Sequence, residues 1–257
     1  MKWPKFDKFD IQKHTIMLGY MGSQSHGTWI PPENGGIDDK DVMGVCVPPA
    51  NFIYGLQKFE QLDTWVDEYD IVIYDIRKYF RLLLKSNPNV IGLLWLPETG
   101  YIIHNDWTRI MRKHRDIFSS KKIYKSFTGY AYSQLKKMQQ FNHQGYMGEK
   151  RKVLVTKFGY DTKNAAHLIR LLRMGIEFLC TGELNVMRPD AKQLIAIKRG
   201  EYSLEKIKGM SDELFNDARE ALIKCELPNE PDYKSAEKLM MEMIEEKLSE
   251  DMVMYGD

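Results

Sequence analysis

The sequence predicts an α+β protein, with a short mixed sheet in roughly the first hundred residues followed by a run of helices. Strand-like apolar runs separated by turn clusters fill the chain up to about residue 105. Beyond that point apolar residues recur at helical spacing, in segments mostly separated by Gly or Pro. With 257 residues, 43% of them hydrophobic and 28% charged, the chain can bury one or two cores. We therefore expect a first domain over residues 1–105 and a helical domain over residues 106–257, with a cleft at their junction.

The first run, HTIMLGY at 14–20, reads as a short strand, and MGSQSHG at 21–27 suits a tight loop or the start of a helix. Gly22 lets a phosphate come close to the backbone. The N–H groups of this loop, the hydroxyls of Ser23 and Ser25, and His26 can meet an anion. Fifteen residues separate Ser23 from Asp39-Lys40-Asp41, which lies inside DDKDVMGVCV at 38–47. Side chains alternate along a strand, so Asp39 and Asp41 share a face with Met43, Val45 and Val47 while Lys40 faces away. Two carboxylates on one rigid edge suit hard divalent cations. Such a pair of ions, about 3.5–4 Å apart, clamps the attacking and leaving oxygens of an in-line phosphoryl displacement.

EYDIVIYDIRKYF at 68–80 passes from strand to helix, and Asp75 is placed to cap that helix. Asp70, opening the strand, is the natural third carboxylate beside Asp39 and Asp41; Asp75 reads as structural and Asp67 as a more remote candidate. Asn87 and Pro88 break the pattern and begin a helix carrying IGLLWL. Helices are then expected in TRIMRKHRDIF (108–118), KKIYKSFTGYAYSQLKKMQQF (121–141), a segment at about 161–180, LEKIKG (204–209), DELFNDAREALIKC (212–225) and SAEKLMMEMIEEKLSEDM (235–252).

In the 161–180 helix, closed by Thr181 and Gly182, Lys163, His167 and Arg170 fall within about 60° of one another at 100° per residue. Leu168, Leu172, Ile176 and Leu179 lie opposite. The basic stripe is either a solvated face on a packed helix or the lining of the cleft; Arg173 falls off it. A second basic stretch, GEKRKVLVTK at 148–157, reads as a solvated loop that can also follow a phosphate backbone, with Tyr130, Tyr132 and Phe141 available to stack on bases.

Lys and Arg number 37 against 36 Asp and Glu, which argues against a long non-specific nucleic-acid footprint. The longest apolar run, 90–97, is far short of the roughly 20 residues a membrane helix needs, and MKWPKFDKFD has no apolar core of a secretory signal. Cys46, Cys180 and Cys225 have neither metal-binding spacing nor a disulfide framework. We expect Cys46 and Cys180 to be small core hydrophobes, and a reducing cytoplasm to be the setting.

In combination, GSQSHG, DDKDVMGV, YDIVIYDIRKYFRLLLKSNPNVIGLLW and GYDTKNAAHLIRLLRMGIEFLCTGEL make the chain resemble the DNA polymerase beta-like nucleotidyltransferases. The nearer likeness is to a bacterial and phage family associated with RNA ligase and RNA repair. It spans about the first 200 residues. Two features differ from the general pattern: the connection after Ser23 carries a Pro-Pro-Glu-Asn-Gly-Gly insertion, and Lys40 stands where an apolar residue is usual. The resemblance implies a polymerase beta-like catalytic domain with a helical domain closing over it, and transfer of a nucleoside monophosphate from an NTP to a hydroxyl with release of pyrophosphate. It further implies that Asp39, Asp41 and Asp70 hold two Mg²⁺ (or Mn²⁺) ions and that Asp70 helps activate the acceptor. Gly22, Ser23 and His26, with Lys163, His167 and Arg170, would hold the nucleotide. RNA ends are the implied acceptor. Nucleotidylation of a small molecule or protein remains open, as does an inactive nucleotide- or RNA-binding protein. Against the last, three carboxylates repel phosphate unless a cation lies between them.

Overall fold

A computed structural model describes residues 2–139 and 149–253 of the chain. The amino-terminal part runs α1 (Ile11–His14), β1 (Thr15–Tyr20), α2 (Gly22–Ser25), β2 (Lys40–Cys46), α3 (Ala50–Ile53), β3 (Gln61–Val66), β4 (Tyr69–Asp75), α4 (Ile76–Leu83) and β5 (Tyr101–His104). The helices α5 (Asp106–Lys113), α6 (Lys122–Gln139), α7 (Glu149–Phe158), α8 (Thr162–Thr181), α9 (Ala191–Lys198), α10 (Leu204–Lys224) and α11 (Tyr233–Val253) follow. The protein is α+β. Its sheet has the order β3-β4-β2-β1-β5 and is mixed: β2 and β4 are parallel, the other neighbours antiparallel.

Strand alternation sends the two faces of the sheet to two different cores. Met17, Met43 and Val45 point to the large core shared with the helices, whereas Leu18, Val42, Ile71 and Ile73 point to a smaller one. The smaller core is closed by Phe52, Phe59, Phe6 and Phe9, whose rings meet edge to face; Phe9 lies 5.1 Å from Phe52 and 5.2 Å from Phe59. The larger core is continuous from Ile16 on β1 through α8 to Leu248 on α11, so the segments on either side of residue 105 share one interior. Asn105 itself caps α5, its side chain accepting from the Thr108 N–H at 3.1 Å.

Helix α8 is the axis of the second part. Asp161 caps its N-terminus by accepting from Asn164 N–H, Gly182 in the left-handed region ends it, and α6, α9 and α10 pack around it. Several sequence expectations change. The 204–209 and 212–225 segments form the single helix α10, because Gly209 lies in open space and an isolated glycine costs only about 1 kcal/mol. IGLLW is a 3-10 turn over Ile91–Trp95 and does not begin at Pro88; the Asn87 side chain accepts from Asn89 N–H instead. From Glu149 the stretch read as a basic loop is helix α7, while its Gly148 and the stacking candidate Phe141 lie outside the described residues. Cys46 is buried as expected, but Cys180 is exposed on the last turn of α8. Among the described residues no helix is long and apolar enough to cross a membrane.

Candidate active site

Strand β1 delivers the chain to the one-turn helix α2 at the same end of the sheet where β2 begins. Met21 N–H donates to the Asp41 carbonyl at 2.8 Å, tying the two together. Gly22 has φ +60°, and a Cβ there would lie 1.7 Å from Asp41 Oδ2. Only glycine satisfies both conditions, so the Asp41 carboxylate rests directly over the Gly22 backbone. Ser23 Oγ is buried with no hydrogen-bond partner. Ser25, by contrast, is used inside the turn, its hydroxyl donating to the Gly22 carbonyl at 3.0 Å. It is not available to a ligand there.

The carboxylates gather along the neighbouring edge. Asp41 and Asp70 are in register on the parallel strands β2 and β4, which run about 4.8 Å apart, and their side chains share the helical face. Asp39 immediately precedes β2. Burial raises the Asp41 pKa to about 6, with Lys163 opposing and Asp70, Asp39 and Asp38 adding to the rise. Burial also raises that of Asp70, helped by Asp63 and Asp39. Lys40 points to the opposite face, bonded to Glu68 at 2.5 Å and lying over the rings of Trp29 and Tyr69. Asp75 sits at the far end of β4, capping α4 through Arg77 N–H (2.7 Å) and ion-paired with the Arg77 guanidinium. Asp67 forms the β3–β4 turn, with φ 53°.

Divalent cations take carboxylate oxygens, and Asp41, desolvated by burial and then crowded by like charge that Lys163 only partly offsets, fits that need. No group of three or more His, Cys, Asp or Glu among the described residues is assembled into a metal-holding cluster. Asp39, Asp41 and Asp70 thus line one edge without forming a closed cage.

Opposite them stands the helical wall. Lys163, His167 and Arg170 of α8 face a cavity of about 190 Å³ whose other lining residues include Gly22, Ser23, His26, Asp41, Arg151 and Lys198. Of the two readings of the stripe, the cleft lining is therefore the one observed. Arg170 is held beside Met174 Sδ at 3.2 Å, and no described carboxylate comes within ion-pair distance of it. Burial, then Arg188, lower its pKa to about 9, which leaves it charged at neutral pH. His26 and His167 are both kept neutral by burial and then by Arg170. The Nδ1 of His26 lies 2.9 Å from the Val186 carbonyl. A carbonyl only accepts, so Nδ1 carries the proton and Nε2 is left as an acceptor. As placed, His26 has no ring donor for a phosphate, which changes the role expected of it. Asp39 and Asp70 are outside the cavity lining.

Several participants were not singled out from sequence. Asp38, just before Asp39, is buried and paired with Lys163 Nζ (3.1 Å) and Lys198 Nζ (2.7 Å). Burial pushes its pKa up, but the two ammonium groups outweigh this and hold it below the usual value. Arg151 of α7 reaches Asp161 at 2.7 Å and Asn164 at 2.9 Å on the cavity wall. Arg173, off the stripe, pairs with Asp190, which with Glu177 also holds the buried Arg188. That network fixes the segment supplying the Val186 carbonyl. The DDKD run was the only local signal for Asp38, and the basic stretch at 148–157 was the only one for Arg151; Lys198 had none, because its partners Thr28 and Asp38 are distant in sequence.

Comparison with known proteins shows that residues 11–242 match the family described as the RNA repair pathway DNA polymerase beta family. The chain belongs to that family. It is accordingly a polymerase beta-like nucleotidyltransferase-family protein of RNA repair, as the motifs at 22–27 and 38–45 led us to expect. Among solved structures it is similar to a nucleotidyltransferase-like protein from Exiguobacterium sibiricum 255-15, at 13% identity, covering 82% of this chain and 69% of that one, with a TM-score of 0.29. No curated protein matches.

Proposed function

We propose that this family member is a metal-dependent nucleotidyltransferase that moves a nucleoside monophosphate from an NTP to a hydroxyl, with an RNA end as acceptor. One observation carries the reading. Arg170, half-buried and without a carboxylate within ion-pair distance among the described residues, faces across a small cavity the Asp41 carboxylate, whose pKa is driven up by burial and then by neighbouring carboxylates. Arg170 lacks an ion-paired anion, and Lys163, already shared with Asp38, offsets the Asp41 charge only in part. A triphosphate chelating a divalent ion supplies both the anion and the further positive charge.

In this reading Asp39, Asp41 and Asp70 hold Mg²⁺ or Mn²⁺, which when bound offsets the negative charge gathering on the phosphates. The backbone at Gly22 and the orphaned Ser23 hydroxyl receive phosphate oxygens, with Lys163 and Arg170 as charged donors on the opposite wall. Neutral His167 belongs to the wall behind them. His26 Nε2, an acceptor, suits a hydroxyl or water. The acceptor oxygen bonds to the α-phosphorus, the bond from that phosphorus to the β-bridging oxygen breaks, and pyrophosphate leaves. The hydroxyl proton passes to the Asp70 carboxylate, which lies on the open side of the edge and is made more basic by its surroundings.

The test is incubation with each labelled NTP, Mg²⁺ or Mn²⁺, and RNAs bearing different termini, read by pyrophosphate release and by label on RNA. Pyrophosphate together with labelled RNA supports the proposal. Nucleotide binding without turnover under every combination points to a binding protein, and label on protein or small molecule redirects the acceptor.

A further inference from the structure

We propose that Lys198 is a positioning residue, acting through Asp38 to fasten the loop between the Gly-Ser turn and the Asp39/Asp41 edge; this rests on the reaction inferred above. The Lys198 ammonium, at the end of α9, donates to the Thr28 carbonyl at 2.8 Å and to Asp38 Oδ2 at 2.7 Å. Thr28 and Asp38 are the two stems of the loop at residues 29–37. A single ammonium therefore closes that loop. Ile30 N–H donates to the same Asp38 oxygen at 3.4 Å, adding a backbone strut inside the staple.

The loop is packed in a way that makes closure matter. A Cβ at Gly36 would lie 1.8 Å from the Ile30 carbonyl oxygen, so the two limbs touch backbone to backbone. Gly36 N–H donates to the Pro31 carbonyl at 3.1 Å, and Asn34 N–H to the same carbonyl at 2.9 Å. These contacts hold the tip, and Lys198 holds the base. Asp38 is one residue from Asp39 and three from Asp41, and its other oxygen is 3.1 Å from Lys163 Nζ. Releasing Asp38 thus frees the start of β2, where Asp41 must rest over Gly22, and unties Lys163.

Lys198 also lines the cavity, so the rival role is direct phosphate binding. The two roles differ in what they move. With two of its three donors committed to Thr28 and Asp38, Lys198 acts on the placement of the acidic edge, which alters kcat; a phosphate ligand lost from the ground state raises KM. Lys198→Ala should lower kcat about tenfold or more while NTP KM stays within about threefold, and Lys198→Arg should restore most of the rate. Asp38→Ala should do the same, and the double variant should be no worse than the poorer single, as expected for two groups acting as one unit.

A second readout needs no nucleotide. In amide hydrogen exchange, Ile30 and Gly36 should exchange about tenfold faster in Lys198→Ala and Asp38→Ala than in the native protein, and near the native rate in Lys198→Arg. If the alanine variants do not fold, Lys198→Gln and Asp38→Asn provide the same comparison with side-chain volume kept. Unchanged exchange at these amides, or a raised KM with kcat intact, overturns the proposal. Faster exchange in a protein that transfers no nucleotide upholds the staple and overturns only the reaction.

Discussion

Replacing Asp41 with Asn should make the metal-free protein more stable while removing its proposed activity. Asp41 goes from 3.8 to a pKa of about 6 on folding, a shift of about 2 units. At about 1.36 kcal/mol per unit, keeping it ionised in the fold costs up to about 3 kcal/mol, and partial solvent access reduces that to about 1–3 kcal/mol. The folded form binds this proton more tightly than the unfolded chain. Protonation therefore stabilises the fold fully below pH 3.8, and the benefit is lost as the pH rises through about 6. Asn never ionises, so its advantage should be largest above pH 6 and shrink toward pH 4.

For a chain of this size the gain corresponds to roughly 3–8 °C in Tm. Thermal unfolding of both proteins in chelator at pH 7.5 and pH 4.5 measures it. His26 and His167, held neutral, shift stability the other way across this range: their folded pKa values lie below 6.5, so stability falls as they are forced to protonate. They are present in both proteins and largely drop out of the difference. Adding Mg²⁺ at pH 7.5 should raise the Tm of the native protein and leave Asp41→Asn nearly unmoved. A variant that is destabilised, or whose Tm gain is the same at both pH values, refutes the electrostatic account of this carboxylate.

Three further outcomes follow from the geometry. Asp70→Asn should lower kcat by about 10²-fold or more in the nucleotide-transfer assay, whereas Asp75→Asn, which weakens a helix cap and an ion pair, should lower Tm by the equivalent of about 1–2 kcal/mol. Arg170→Met should raise NTP KM by about tenfold or more with thermal stability held or improved, since the cavity offers the native guanidinium no carboxylate among the described residues. Gly22→Ala should abolish transfer and reduce Tm, because the new methyl falls on Asp41 Oδ2 at a φ that alanine rarely adopts; native-like kinetics in this variant mean that Asp41 does not rest where the fold places it.

Periodicity explains which parts of the molecule could be read from the chain. Alternation along DDKDVMGVCV assigned Asp41, Met43 and Val45 to one face and Lys40 to the other, and the sheet divides them in that way. The 3.6-residue period likewise grouped Lys163, His167 and Arg170, and α8 presents all three to the cavity. Both are local rules, valid wherever the element forms. Contacts made across the chain have no such rule. His26 loses its ring donor to a carbonyl 160 positions away, and Asp38 is claimed by Lys198 at the same separation. Gly209 and Cys180 illustrate the converse: residue type suggested a break and a core position, but a glycine in open space does not end a well-packed helix, and Cys180 takes the solvent side of the turn whose Phe178 and Leu179 are buried.

The size and charge of the cavity together divide the proposed reaction between two places. At about 190 Å³ it is smaller than the 300–1,000 Å³ or so typical of pockets that engulf a whole organic ligand. Its cations, Lys163, Lys198, Arg151 and Arg170, are all on the helical wall, while Asp39 and Asp70 stand outside its lining. Under the proposed function the cavity is thus the phosphate end and the strand edge the reacting end. The base and the acceptor must then lie toward solvent. An RNA terminus, tethered by the remainder of its own chain, can reach such a rim, whereas an acceptor requiring an enclosed pocket cannot. Selectivity for the acceptor then has to come from the surface surrounding Asp70 and β3, which is where substitutions should change the RNA end used without altering NTP KM.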